Sequence, residues 1–226
     1  YSGNPYLNPT FGHNVELSYR YKGLFSTALT YGKSKDDINE TIEINNGIYY
    51  SRPGNIGKSQ FLSWTAQSDF EVTNWFSTSL FTEVAHMDFK SELYTEGLHS
   101  FGTFFHFSAN NRFKIDKSWS AELSGRYTSE MTSSQFTLGE NASINIGIQK
   151  KVLGDRGTLR LNANDIFYMG IRNGVINNLR LTDATWKNKP DSRFVALTFT
   201  YAFGKAFEAK SQERSGAESE QGRVKG

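Results

Sequence analysis

Along most of this chain hydrophobic residues recur at every second position. In the run from Arg193 to Phe203, Val195, Leu197, Phe199, Tyr201 and Phe203 share one parity, while Ala196, Thr198, Thr200 and Ala202 share the other. A period of two puts successive side chains on opposite faces of an extended strand, here one apolar face and one small, mildly polar face. The same alternation sets Val15, Leu17, Tyr19 and Tyr21 against Asn14, Glu16, Ser18, Arg20 and Lys22. It sets Phe25, Thr27, Leu29 and Tyr31 against Ser26, Ala28 and Thr30, and Leu62, Trp64, Ala66, Ser68 and Phe70 against Ser63, Thr65, Gln67 and Asp69. It recurs from Phe76 to Val84, Phe101 to Phe107, Trp119 to Tyr127, Ala142 to Ile148 and Leu159 to Ala163. No long segment has helical periodicity. The expected class is all-β, built of antiparallel hairpins, with nine strands.

The connections alternate in length. Short ones fall at Lys22-Gly23, Glu71 to Asn74, Lys114 to Lys117 and Leu153 to Gly157; longer ones run from Gly32 to Lys58, Lys90 to Leu98, Ser129 to Gly139 and Tyr168 to Ser192. The first long one carries Asn45-Asn46-Gly47, a tight hairpin tip. Strict alternation gathers all short turns at one end of the sheet, as in bacterial outer-membrane barrels with short periplasmic turns and long external loops. A Greek-key sandwich would mix the lengths. Aromatics cluster toward both strand ends: Tyr19, Tyr21, Phe70, Trp75, Phe113, Trp119, Tyr201 and Phe203 at the short-turn end, and Tyr49, Tyr50, Phe89, Tyr94, Phe101, Tyr127 and Tyr168 toward the other. Two girdles of amphipathic rings are expected where strands cross a bilayer.

The parity of the charges decides which face meets lipid. Glu16, Arg20, Glu122, Arg126 and Arg160 lie opposite the apolar residues. An Arg facing lipid at mid-bilayer costs roughly 2–4 kcal/mol, so these charges face inward. In a small packed barrel they would be buried and would need partners, whereas a wide barrel lets them line a wet lumen. Lumen-lining candidates are therefore Glu16, Arg20, Glu83, Glu122, Arg126, Arg160, Asn162 and Asn164. Aromatic and Arg side chains in external loops can stack on and hydrogen-bond a ligand, which makes Tyr49, Tyr50, Arg52, Tyr94, Arg172, Asn173, Arg180 and Trp186 the loop candidates.

Composition supports this without deciding it. Aromatics make up 15% of the 226 residues, yet mean hydropathy is negative and no run approaches the roughly 18 apolar residues of a membrane helix. Alternation averages hydropathy out in membrane strands, and it does so in a soluble β-sandwich binding module too. With 25 basic and 23 acidic residues, the balance gives no case for a nucleic-acid partner. There is no cysteine, hence no disulfide framework and no thiol metal site. The opening Tyr1-Ser-Gly-Asn-Pro shows neither a basic region nor an apolar core of a signal peptide, so a mature, clipped or partial chain is expected.

Several stretches resemble one family. Gly3-Asn-Pro-Tyr-Leu-Asn-Pro9 followed by His13 to Tyr19 resembles the mid-barrel signature of TonB-dependent outer-membrane receptors. Ser51 to Lys58 is similar to their descending strand after a long loop, and Thr73-Asn-Trp-Phe-Ser77 to a periplasmic turn. Gly157 to Phe167 resembles their penultimate strand and Arg193 to Gly204 their last. The group most resembled is the outer-membrane β-barrel family common in Bacteroidota. The resemblance implies a barrel of about 22 strands with a plugged lumen. It makes this chain a C-terminal portion of the barrel (residues 1–204), an antiparallel up-and-down sheet that is curved and open when isolated, followed by a disordered, charged periplasmic tail (residues 205–226). It also implies partners: outer-membrane lipid, the plug and early strands of the same protein, a TonB energy-coupling complex, and a scarce nutrient such as a metal chelate, cobalamin or an oligosaccharide. The alternative in the same class is a passive or structural barrel without coupling.

Enzymatic chemistry has no foothold in the sequence. His13, His86, His99 and His106 are scattered without metal-ligand spacing, although His86 and His106 are read as sharing the inward parity. No nucleophile elbow, phosphate loop or dinucleotide fingerprint occurs. Asp36, Asp37, Asn39 and Glu40 lack the spacing of a calcium loop and read as a solvated acidic loop. The expectation is no enzyme, no cofactor and no metal.

Overall fold

The computed structural model describes residues 3–55, 57–93, 96–177, 179 and 183–203. In chain order the strands are β1 (Phe11–Tyr21), β2 (Phe25–Lys35), β3 (Ile38–Asn45), β4 (Ile48–Asn55), β5 (Lys58–Thr73), β6 (Phe76–Leu93), β7 (Glu96–Lys114) and β8 (Trp119–Thr128). Then follow β9 (Met131–Ser133), β10 (Phe136–Leu138), β11 (Asn141–Val152), β12 (Gly157–Asn164), β13 (Arg172–Ile176), β14 (Ala184–Asn188) and β15 (Phe194–Tyr201). Among the described residues there is no helix. Nine strands form one antiparallel sheet in the order β1-β2-β5-β6-β7-β8-β11-β12-β15, each beside its predecessor in the chain apart from inserted hairpins. These are the nine expected strands. Among the described residues β1 and β15 do not pair with each other, so the sheet is open, as expected.

The registers carry the alternation across the sheet in rows. Leu17 lies opposite Leu29, Leu29 opposite Trp64, Trp64 opposite Val84 and Val84 opposite Phe105. Further along, Leu123, Ile146, Ala163 and Val195 form one such row, and Ala121, Ile148, Leu161 and Leu197 the next. The large side chains of these rows are exposed, Leu17 to 75% and Leu197 to 71%. The opposite rows are polar: Ser18, Ala28, Thr65, Glu83, His106 and Thr128 make one, and Arg20, Ser26, Gln67, Phe81, Ser108, Arg126 and Ser143 another. A water-soluble sheet hides its apolar face, whereas this one presents it. The arrangement suits a bilayer, where the backbone is satisfied by the ladder and apolar side chains face hydrocarbon.

Short turns close one end of the sheet. Asp116 builds one of them, its carboxylate accepting the N–H groups of Ser118 (2.6 Å) and Trp119 (2.8 Å). Those bonds hold its pKa below the ordinary carboxylate value. Aromatic rings gather at this end: Trp75, Phe76 and Phe113 lie with centroids 5.1–6.3 Å apart, Tyr201 meets Phe203 edge-on at 4.7 Å, and Lys150 sits 4.8 Å above Trp119.

At the other end the long connections are themselves structured. β3 and β4 form a hairpin whose two-residue tip, Asn46-Gly47, has φ of 50° and 77°; two positive values in succession suit Asn-Gly and match the right-handed strand twist. β9, β10, β13 and β14 make a second sheet, in the order β14-β13-β10-β9. The expected connection from Lys90 to Leu98 is instead a continuation of β6 and β7, which pair out to Leu93 and Glu96. The cause is apolar packing. On the inner face of this extension Phe89 and Leu98 are buried with Ile176 and Leu179, against Met87, Phe136 and Ala184. Phe89 accordingly belongs to this cluster and not to a lipid-facing girdle. The expected tail, residues 205–226, and the loop candidates Tyr94 and Arg180 lie outside the described residues.

The adjacent positions Ala28 and Leu29 test the assignment of faces. Leu29→Arg, between Leu17 and Trp64, is expected to destabilise the folded protein in lipid vesicles by about 2–4 kcal/mol, and Ala28→Arg, between Ser18 and Thr65, by under ~1 kcal/mol, measured by urea titration.

Candidate functional site: the polar wall and its loop cap

All eight lumen candidates lie on the polar face of the sheet, by parity and register. Alternation alone places them, since each strand has its apolar set at the intervening positions. All but Glu83 fall into three groups. On β8 and β12, Arg160 donates from Nε to Asn162 Oδ1 (2.9 Å) and from Nη2 to Glu122 Oε2 (3.0 Å). Gly147, between Glu122 and Asn162 in the register, makes room: a Cβ there would sit 2.9 Å from Asn162 Oδ1. The Arg160 and Glu122 side chains keep 42% and 28% exposure, so the pair is wet and contributes at most about 1 kcal/mol. A cavity of about 690 Å³ opens beside this pair, toward the short turns, and is also lined by Arg112, Lys114 and Lys151. Those three were not among the candidates, although their inward parity could have been read from Phe107, Ile146 and Ile148.

The second group surrounds a cavity of about 760 Å³. Its walls come from β5 through β11, with Gln67, Ser108, Asn110, Arg126 and Asn145 among them, and its lid from Asp165, Gly170, Arg172 and Ser192. Residues of five consecutive sheet strands around one space make the polar face concave. Arg126 donates from Nε to Ser143 Oγ at 3.0 Å and remains exposed to the cavity. Asn164, at the end of β12, lines a smaller recess with Glu122, Asn145 and Arg160. The third group, Glu16 and Arg20 on the edge strand β1, lines a recess with Gln67 and Phe81. Glu83 faces His106 across β6 and β7, and His106 Nδ1 lies 2.7 Å from Thr128 Oγ1. His86 does not share the inward parity: it sits opposite Leu62 and Thr103, on the apolar face beyond Val84.

The described loop candidates fall on two separate hairpins. Tyr49, Tyr50 and Arg52 belong to the β3–β4 hairpin, while Arg172, Asn173 and Trp186 belong to the β13–β14 hairpin. Among the described side chains of these, Arg172 reaches the larger cavity. The Asn173 carbonyl accepts the Gly139 N–H at 2.9 Å, joining two loops. Trp186 packs edge-on against Phe136 at a centroid distance of 5.6 Å and covers Gly174, where any Cβ would strike its ring. Its part is to hold the loop sheet together.

Sequence reasoning missed Asp165. It follows β12, has φ of 45° and is 3% exposed. Its Oδ1 accepts the Met169 N–H (2.8 Å), and its Oδ2 accepts the Gly170 N–H (2.8 Å) and the Ser192 hydroxyl (2.6 Å). Its own N–H donates to Asn145 Oδ1 at 2.9 Å. The carboxylate thus ties the start of the last long connection to its end, and the backbone N–H of the same residue ties it to β11. Burial works to raise its pKa. The Ser192 hydroxyl, the two N–H donors and the nearby Arg193 charge outweigh burial and hold it below the ordinary value. The available signal was an Asn-Asp pair directly after an alternating run, the composition of a side-chain-anchored turn.

A depressed folded pKa means that this anchor stabilises the loop above the unfolded carboxylate pKa of about 3.9 and that the contribution is lost as pH falls through the folded value. Asp165→Ala is expected to remove hydrogen-exchange protection at Met169 and Gly170 at neutral pH, and the wild type to lose that protection only in acid. Equal protection in both proteins at neutral pH would contradict the anchoring role.

Residues 1–201 match the outer membrane protein beta-barrel family. No curated protein and no solved structure matches the chain. The family match covers every strand of the sheet and agrees with its exposed apolar face, polar concave face and alternating turn lengths. The chain belongs to the outer membrane protein beta-barrel family, and its place is the outer membrane.

Proposed function

We propose that this sheet is part of the wall of a TonB-dependent outer-membrane receptor that imports a scarce nutrient, such as a metal chelate, cobalamin or an oligosaccharide. The observation that carries this reading is the charged inner face: Arg112, Glu122, Arg126 and Arg160 border cavities of about 690 and 760 Å³, and even the Arg160–Glu122 pair stays partly exposed. A narrow barrel would bury such groups at a cost of several kcal/mol each, so the wall suits a wide lumen. A wide lumen left open would leak small solutes, and a plug that yields only to an energised partner solves that problem.

Strand direction supports the same reading. Every neighbouring pair in the sheet is antiparallel, and with nine strands β1 and β15 run the same way. Closure of β1 on β15, or of one copy on another, would require a parallel pair. Completion by an odd number of further strands keeps the ladder antiparallel and the total even, as in bacterial barrels. In this reading the early strands and the plug belong to the same polypeptide, and energy comes from the TonB complex acting on the plug.

Planar bilayers containing the natural protein distinguish this reading from a passive pore. The receptor reading expects no steady ionic conductance and a nutrient uptake in cells that stops when the proton gradient is dissipated. A steady conductance, or uptake indifferent to the gradient, would establish the passive barrel instead.

A further inference from the structure

On five adjacent strands the lipid-facing surface changes character at the long-loop end. Along the outward parity, β2 passes from Leu29 and Tyr31 to Lys33 and Lys35, and β5, read toward the same end, passes from Trp64 and Leu62 to Lys58. β6 passes from Val84 to Lys90, β7 from Phe101 to His99, and β1 from Val15 to His13. The register aligns them: Lys35 is opposite Lys58, Lys58 opposite Lys90, and Lys90 opposite His99, while His13 is opposite Lys33 in the next outward row.

Like charges placed directly across a sheet repel, and side chains so placed stand only about 5 Å apart at Cβ. The protein relieves little of this. Lys35 has Asp36 at 3.8 Å and His99 has Asp88 at 3.4 Å. Lys33, Lys58 and Lys90 are exposed and have no anionic partner among the described residues. These cations lie beyond the apolar band, with Gln60 intervening on β5 and His86 and Asp88 on β6, at the end of the sheet that faces outward when short turns are periplasmic. Tyr31 marks the boundary, its ring on the apolar face and its hydroxyl donating to Gln60 Oε1 at 3.2 Å.

We propose that this row is a docking surface for the phosphate groups of an anionic glycolipid of the outer leaflet, with Lys33, Lys58 and Lys90 as its principal contacts. Two features select a lipid over a soluble anion. The cations continue the face already committed to hydrocarbon, so acyl chains can lie against Leu29, Leu62 and Val84 while the headgroup meets the lysines. The row also spans strands that an isolated phosphate is too small to bridge. The proposal concerns the outer surface and is independent of what the lumen carries or whether transport is energised.

The test uses the natural protein extracted from outer membranes and reconstituted in bilayers containing a doubly phosphorylated outer-leaflet glycolipid, with the same glycolipid dephosphorylated as a second arm. Native mass spectrometry counts the lipid retained per protein. Heat-modifiable gel migration confirms that each variant is folded. Wild type is expected to retain the phosphorylated lipid and not the dephosphorylated one. Each Lys→Gln change at positions 33, 58 and 90 is expected to lower retention about fivefold, as for a basic residue at an anionic membrane surface. The Lys→Arg triple variant is expected to keep it. Equal retention by wild type and the folded Gln triple variant would overturn the proposal, and so would equal retention of the two lipids. Displacement of the bound lipid by millimolar inorganic phosphate would overturn it in favour of a free-anion site.

Discussion

The bilayer offers the backbone no water, and the rest of this structure follows from that. Each N–H and C=O within the hydrocarbon must find its partner on a neighbouring strand, so the chain has to cross as a hydrogen-bonded ladder. Once the ladder is fixed, side chains have two directions only, and hydrocarbon claims one of them. Leu17, Leu29, Trp64, Val84 and Phe105 form a single exposed row because each belongs to a strand whose other face is wet. The sheet thus has no apolar core of its own within the membrane. Its cohesion comes from the ladder and from the lipid around it.

Among the described residues a buried apolar cluster appears where hydrocarbon stops. Beyond the outer boundary β6 and β7 continue as a hairpin, and their inner face buries Phe89 and Leu98 against Ile176 and Leu179 from the last long connection. Here the packing logic is that of a water-soluble protein, with apolar groups inside and Asp165 fastening the loop by its N–H and hydroxyl contacts. One pair of strands therefore obeys opposite rules along its length. Val84 points outward to lipid in the lower part, and Phe89 points inward to a loop core in the upper part. The switch requires no bulge, because neighbouring positions already face opposite ways and only the identity of the apolar parity changes.

That switch explains which parts of the fold were readable from sequence. The nine membrane strands, their order and their faces were legible because a period of two persists over five to eleven residues against a uniform solvent. The inward placement of Glu122, Arg126 and Arg160 came from the same parity. The extension of β6 and β7 was not legible. Past Asp88 the apolar residues fall on the other parity, and Lys90, Ser91 and Glu92 read as a polar loop. Likewise β9, β10, β13 and β14 are three to five residues long, too short for alternation to register, and are set by contacts such as Trp186 on Phe136. Asp165 escaped because its partners Met169, Gly170 and Ser192 come together only after the connection folds back. The outward charge row escaped for a similar reason: Lys35, Lys58, Lys90 and His99 are far apart in sequence and are joined by register alone.

The two faces also treat charge in contrasting ways, and the contrast bears on what the wall is for. Within the lumen Arg160 has Glu122 at 3.0 Å, yet both stay partly exposed, so the pair adds little stability and a neutral polar lining would hold the sheet equally well. Charges that stabilise so little are better explained by the space they border than by the sheet they sit on. Arg112, Lys114, Lys151 and Arg160 give one end of that space an excess of positive charge over Glu71, Asp116 and Glu122. Low-dielectric walls around a wet cleft concentrate such a field and raise the local concentration of counter-charged solutes. On the outer surface a row of lysines would be disfavoured within hydrocarbon, and on β2, β5 and β6 it lies beyond the last apolar residue of the strand. The same residue type thus borders the polar cleft on one face and lies beyond the apolar band on the other, with backbone alternation keeping the two apart.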